Sequence, residues 1–346
     1  MSDSTHRHRP RRHHALLRRT GLRRPAALYL SAVLLIGGTA GCQTLGLGGA
    51  ESSGLSAAGS TDGAGVAPDA ALSRAMDLPW PTEGQASAAV EGVGSLGTKG
   101  DQTPVPIASI TKVMTAYVIL TDHPMAAGQQ GKAVTADQQA ADESFSASES
   151  TAPLVADRAY TQRQLLELMM LPSGNNVARL LARWDAGSQE EFAEKMNRAA
   201  AKLGMDRTVY TGASGIEPTT RSTATDQLKL ARAVMKNETF RQIVATPAMT
   251  APGVGVRIAN SNRLLGQDGV IGLKTGSSTP AGGNLMWAAT KEIGGTSHLI
   301  LGVVLHQRAG TNPTQAMSAA FDASRTLITA IRSGLPRALS RGLAVR

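Results

Sequence analysis

The hydrophobic pattern of the chain predicts an α+β fold, an antiparallel β-sheet with helices packed on its faces and a helical subdomain. Three observations carry this. The last third holds three short apolar runs divided by glycines, 269–275, 284–290 and 298–305, which read as strands. From Ile107 to Met235 the apolar residues recur mostly at helical spacing instead. A further strand-like segment, Ala88-Ala89-Val90, precedes those helices. Strands at both ends of one domain with helices between them fit an antiparallel sheet covered by helices.

The termini account for most of the charge. The 346 residues carry a net +9, but residues 1–25 hold eight arginines and one acid and so supply +7. After Asp322 come five arginines and no acid. The middle is close to neutral, which excludes a polybasic nucleic-acid surface on the folded domain. The basic start leads into an apolar run, 26–36, and then small residues up to Gly41-Cys42, the order of an export signal. That run is shorter than the roughly 20 residues a membrane span requires. Arg18-Arg19-Thr20-Gly21-Leu22 is a weak twin-arginine pattern. Cys42 is the only cysteine, so no internal disulfide can form. Thr39-Ala40-Gly41-Cys42 resembles a bacterial lipoprotein cleavage box, with Thr39 where an aliphatic residue is preferred. It makes Cys42 the expected lipid attachment and the outer face of the membrane the expected location. Four segments follow: an export signal with this box at 1–42, a Gly/Ala/Ser tether at 43–75, a catalytic domain at 76–335 and a basic tail at 336–346.

Within the domain, residues 86–96 predict two edge strands joined by a turn. Ile107, Ile110, Val113, Met114, Tyr117 and Val118 predict a largely buried helix. Residues 132–135 suggest a short strand, and the serine-rich stretch 136–152 a surface loop. Thr161 and Gln164 form a capping box for a helix that Pro172 ends, and a second helix covers 176–184. Ser188 and Glu191 cap a third that Gly204 closes; 226–235 is a fourth, with Asp226 helping to cap it. Residues 291–296 join the last two strands as a hairpin, and apolar residues from Ala316 to Ile331 mark a closing helix.

Chemistry is concentrated in three short motifs. Ser109 and Lys112 are three apart, so on a helix both project from one face. A serine hydroxyl is a poor nucleophile until a base takes its proton, and a buried lysine can shed its charge and serve. Alone, Ser-x-x-Lys is ordinary helix surface. Ser173-Gly174-Asn175 follows 64 residues later in an interhelix loop, and Lys274-Thr275-Gly276 another 101 residues on, at the end of a strand. The three in this order are a strong signal.

With these motifs the chain resembles the serine D-alanyl-D-alanine carboxypeptidases, the low-molecular-mass penicillin-binding proteins of the β-lactamase/transpeptidase-like fold. The likeness extends from about Trp80 to Leu335, through Gly215-Ile216-Glu217-Pro218 and Ala281-Gly282-Gly283-Asn284-Leu285. It implies that Ser109 attacks the carbonyl between two D-alanines of a peptidoglycan stem peptide and forms an acyl-enzyme, as it would with a β-lactam inhibitor. Lys112 takes the proton, and Ser173 passes it to the leaving D-alanine. Asn175 holds the substrate amide, while Lys274 and Thr275 bind the terminal carboxylate. Gly276 leaves room for the substrate backbone, and the amides of Ser109 and Ser277 form the oxyanion hole. Neither metal nor cofactor is expected. Asp226 and the seven histidines take no catalytic role, and Arg308 is a candidate carboxylate contact of uncertain register.

Two other functions compete. A class A β-lactamase shares the motif types but requires a glutamate in a Glu-Pro-x-x-Asn pattern, and Glu217-Pro218 is followed by Thr219, Thr220 and Arg221. A catalytically silent, lipid-tethered binding protein would lack Ser109, Lys112 or Lys274, and all three are present.

Overall fold

The structure, a computed structural model, describes Leu72 and residues 76–340. The export segment, Cys42, most of the expected tether and residues 341–346 lie outside the described residues. Leu72 is buried against the core, so ordered packing starts inside the stretch read as tether.

Five strands form the main sheet. The chain lays down β1 (Gln85–Val90) and β2 (Gly94–Lys99), and a two-residue strand, β3 (Val105–Pro106), leads into helix α1 (Thr111–Asp122). A helical region follows: β4 (Ala133–Thr135), α2 (Gln138–Glu143), β5 (Ala159–Thr161), α3 (Gln162–Met170), α4 (Asn175–Ala186) and α5 (Gln189–Lys202). After β6 (Arg221–Ser222) come α6 (Ala224–Val234), α7 (Glu238–Val244), β7 (Ala248–Thr250) and β8 (Arg257–Ala259). The chain then returns through β9 (Val270–Ser278), β10 (Gly282–Ile293) and β11 (Thr296–Gln307) and ends in α8 (Pro313–Ser340). The sheet order is β2-β1-β11-β10-β9, and every pairing is antiparallel.

Strand alternation divides the core in two. On β10, Met286 and Ala288 face the cluster built with α1, α3, α4 and α6, while Leu285, Trp287 and Ala289 face the cluster closed by α8. Helix α1 buries nine of its twelve residues, Lys112 among them, and so has almost no solvent face. The Thr161–Gln164 capping box forms as expected, with the Thr161 hydroxyl accepting from Gln164 N at 3.2 Å and Gln164 Oε1 accepting from Thr161 N at 2.9 Å.

Several expectations change. β1 is an interior strand, buried along all six residues, because β11 returns from the far end of the chain to pair with it. Residues 136–152 contain helix α2, capped by Asp137, and a loop that packs on the site described below. The α6 N-cap is Thr223; the Asp226 carboxylate instead accepts from Arg207 N and the Thr208 hydroxyl. Helix α7 was not anticipated. Helix α8 runs through Pro336 to Ser340, so the first residues read as a basic tail are helical.

Trp287 fixes the spacing between sheet and helix. It pairs across the strands with Gly302, and a Cβ built on Gly302 would lie 2.1 Å from the indole Cζ2. The ring occupies the volume of the missing side chain. Gly302→Ala is expected to destabilise the domain by about 1–3 kcal/mol through overpacking, measured by urea denaturation, and Trp287→Phe in the same protein to recover part of it.

Candidate active site

Three segments meet at one end of α1. Ser109 lies in a single 3₁₀ turn, Ala108–Ile110, directly before the helix. Ala108 adopts φ +47°, a left-handed conformation that costs free energy for a residue with a Cβ, and the Thr111 hydroxyl donates to its carbonyl at 2.8 Å. This turn lifts Ser109 out of the helix while Lys112, in the first α-helical turn, reaches back beneath it.

The Lys112 amine sits 2.9 Å from Ser109 Oγ, 2.5 Å from Asn175 Oδ1 and 2.8 Å from the Ser214 carbonyl oxygen. Two of these neighbours are carbonyl oxygens and can only accept; the hydroxyl can also donate. A neutral amine has two N–H groups for the carbonyls and one lone pair, which is then directed at the serine hydroxyl. The environment favours that form. Burial is the largest influence lowering the Lys112 pKa, the Lys274 and Arg179 charges lower it further, and Glu149 and Glu217 oppose them; the net position is well below that of an ordinary lysine. A buried amine poised to accept one proton is what a general base requires.

Ser173 occupies the Pro172–Gly174 corner between α3 and α4 with φ +70°, and its buried hydroxyl has no hydrogen-bond partner among the described residues. Asn175 opens α4; its side-chain oxygen faces Lys112 and its Nδ2 donates to Glu149 Oε2 at 2.7 Å. On β9, Lys274 is wholly buried and lies mid-strand rather than at the strand end. Its Nζ donates to the Thr275 carbonyl at 3.1 Å, and burial pushes its pKa down to about 7. The Thr275 and Ser261 hydroxyls are 2.7 Å apart.

Gly276 is required for a reason the sequence did not give. A Cβ there would meet the backbone nitrogens of Ser109 and Ile110 at 2.9 Å, so its missing side chain lets β9 lie against the turn that carries Ser109. Two cavities open onto this junction. One, about 460 Å³, is lined by Ser109, Glu149, Asn175, Ile216 and Ser277. The other, about 170 Å³, is lined by Ser109, Ser173, Thr275, Gly276, Ser277 and Met317. Ser109 and Ser277 border both. Arg308 is exposed after β11 and lines neither.

The sequence profile of the D-alanyl-D-alanine carboxypeptidase family matches residues 95–308. The chain belongs to that family. This D-alanyl-D-alanine carboxypeptidase chain is 37% identical over 231 residues to the D-alanyl-D-alanine carboxypeptidase of Streptomyces sp. (strain K15), covering 62% of this chain and 77% of that protein. It is 39% identical over 140 residues to D-alanyl-D-alanine carboxypeptidase DacB2 of Mycobacterium tuberculosis, covering 39% of this chain and 48% of that one. The crystal structure of the Streptomyces K15 DD-transpeptidase superposes with a TM-score of 0.63 at 32% identity, over 75% of this chain and 99% of the other. The family and its fold are those the three motifs implied, and the activity is that of a serine DD-peptidase, with stem peptides as substrate and β-lactams as ligands.

Ser109, Ser173, Asn175, Thr275, Gly276 and Ser277 line these cavities and Lys112 lies beneath Ser109, whereas Lys274 lines neither cavity and is felt at Lys112 through its charge. What sequence reasoning missed is Glu149, Arg179 and Ser214. Arg179 is four residues after Asn175 on α4, a spacing that places both on one helix face. Glu149 carried no signal, being one of four acids in a serine-rich stretch, 136–152, without periodicity.

The buried Lys274 makes stability depend on pH. Its folded pKa of about 7 lies below the 10.5 of a free lysine, so between these values the unfolded chain binds more protons. Stability therefore rises with pH across that window, by at most about 1.4 kcal/mol per pH unit. Lys274→Met is expected to melt above the wild type near pH 7 and to lose that advantage toward pH 10, as read by thermal unfolding across the range.

Proposed function

We propose that this chain is an exported, lipid-anchored serine D-Ala-D-Ala carboxypeptidase that trims peptidoglycan stem peptides on the outer face of the bacterial membrane, with Ser109 as nucleophile and Lys112 as its base. The observation that carries the reading is the arrangement around the Lys112 amine. Two acceptor-only oxygens take its protons and one hydroxyl faces its lone pair.

The remaining roles follow from what each group has left to offer. Ser109 Oγ bonds to the carbonyl carbon between the two D-alanines as its proton passes to Lys112. The oxygen that gains charge is held by the amides of Ser109 and Ser277, a pair whose members typically contribute about 3 kcal/mol each. The unpartnered Ser173 hydroxyl conveys the proton to the departing amine. Asn175 keeps one Nδ2 proton for the substrate amide carbonyl. Lys274, whose pKa burial pushes down to about 7, has no ion pair among the described residues, so a terminal carboxylate that favours its protonated form is its natural counterpart, assisted by the Thr275 hydroxyl. Water then releases the acyl group, with Lys112 as base again.

Penicillin is expected to acylate Ser109 and stay attached for minutes or longer, which mass spectrometry of the intact protein reads directly. Labelling that survives Ser109→Ala would remove the mechanism, and rapid turnover of the drug would indicate a lactamase.

The anchor rests on the 39–42 box and the apolar run before it. Cys42→Ala is expected to free the protein from membranes or to block its maturation. Undiminished membrane association with residues 1–41 still attached would point to an uncleaved signal anchor instead.

A further inference from the structure

The loop between α2 and β5 forms a wall of the larger cavity and is tied to the Asn175 segment at several points. Asn175 N donates to the Ser150 carbonyl at 2.8 Å, and the Asn176 side chain bonds Ala152 N, Ala140 O, Ala152 O and Ser144 Oγ at 2.8–3.0 Å. Glu149 projects from this loop to the nucleophile cluster. Its Oε1 accepts from Arg179 Nη2 at 2.6 Å, and its Oε2 accepts from Arg179 Nη1 at 3.0 Å and from Asn175 Nδ2 at 2.7 Å. The Glu149 side chain is 10% exposed and that of Arg179 11%. Arg179 is held in turn by Glu143, at 2.8 Å from its Nε.

An asparagine side chain keeps its shape when its oxygen and nitrogen exchange places, so only its partners fix its direction. Here the direction matters to the chemistry. With Oδ1 toward Lys112, the neutral amine donates to Asn175 and to Ser214, and its lone pair is left for Ser109. With the amide reversed, an Nδ2 proton would occupy that lone pair, and the amine would turn an N–H toward the serine it must deprotonate. Glu149, which can only accept, disallows the reversal.

We propose that Glu149, clamped by Arg179, is a positioning residue of this active site: it holds the Asn175 amide in the one orientation that leaves the Lys112 lone pair free for Ser109. The inference rests on the assignment of Ser109 as nucleophile and Lys112 as base. Glu149 is poorly suited to be a base itself. Burial pushes its pKa up, but the Arg179 and Asn175 hydrogen bonds and the Arg179 and Lys112 charges outweigh burial and hold it below the ordinary glutamate value. Its charge also acts on Lys112, in concert with Glu217 and against Lys274 and Arg179.

Glu149→Gln tests this in the full-length protein, because a glutamine can present its Nε2 to Asn175 and permit the reversal. The rate of Ser109 acylation by penicillin is expected to fall roughly tenfold to a hundredfold at its pH plateau, the range for a charged hydrogen bond. The acid limb of the rate–pH profile is expected to move to lower pH, since Lys112 loses a negative neighbour and its pKa drops. Glu143→Gln, which removes the other carboxylate on Arg179, is expected to acylate within about twofold of the wild type with its acid limb in place. Unchanged rate and limb in Glu149→Gln would overturn the proposal, as would equal losses in the two variants. If Glu149→Gln does not fold, Glu149→Asp decides: it keeps the charge, so its limb is expected to stay in place while its rate falls, and a displaced limb or a wild-type rate would overturn the inference. Wild-type labelling is scored first, so a protein that penicillin does not label reports failure of the Ser109 assignment. A labelled wild type with an indifferent Glu149→Gln reports failure of this proposal alone.

Discussion

The burial of Lys112 beneath Ser109 is the constraint on which the rest of the structure depends. An ammonium taken out of water is strongly disfavoured, and the protein provides no direct ion pair to offset it among the described residues. It provides oxygens instead, from Asn175 on α4 and from Ser214 before β6. Holding those acceptors around one nitrogen requires α1, α4 and the 214–216 turn to be fixed together. The near-complete burial of α1 accomplishes this, since a helix packed on almost every side cannot rotate or slide without opening a cavity. On the proposed mechanism function is served by a packed core, and the base is the polar residue that core encloses.

The same constraint explains where strain and close approach accumulate. Ala108 and Ser173 both have φ in the left-handed region, and both flank the cavities, one carrying the nucleophile turn and the other the unpartnered hydroxyl. Gly276 brings β9 against the backbone of Ser109. In each case a local preference gives way so that side chains from three distant segments converge. Lys274 belongs to the same logic. It is buried close enough to disfavour a second positive charge on Lys112, and its own pKa is lowered chiefly by burial. Both lysines are thus held below the ordinary lysine pKa, and on the proposed mechanism Lys112 serves as the base while a bound carboxylate favours the protonated form of Lys274.

Much of this was legible in the sequence because it was written in short, local terms. The capping box at Thr161, the serine cap at Ser188 and the Gly294-Gly295 hairpin are signals within a few residues, and the structure contains all of them. The three motifs were legible because their residue types are chemically unusual in combination. The elements that were misread depend on partners far away in sequence. β1 reads as an edge until β11, more than two hundred residues later, pairs with it. Glu149 reads as loop until α4 brings Arg179 and Asn175 beside it. Gly276 was recognised, but the neighbour its missing Cβ accommodates is a backbone that only folding brings near.

Acylation and deacylation then make unequal demands on one site. Removing the serine proton needs a base already within hydrogen-bond distance, and Lys112 is 2.9 Å away. Releasing the acyl group needs a second proton acceptor beside a water, unless the first is used again. The two carboxylates whose charge reaches Lys112 are Glu149 and Glu217. Glu149 is neutralised by a two-point bond to Arg179, which weakens it as a base, and Glu217 is on the turn beyond Ser214. On the proposed mechanism hydrolysis must return to Lys112, in a cleft still occupied by the acyl chain. A small peptidyl group leaves that amine accessible to water. A β-lactam, which keeps its leaving amine attached, does not clear the space, and on the proposed mechanism the slow release expected of it has the same origin as the reactivity expected of the serine.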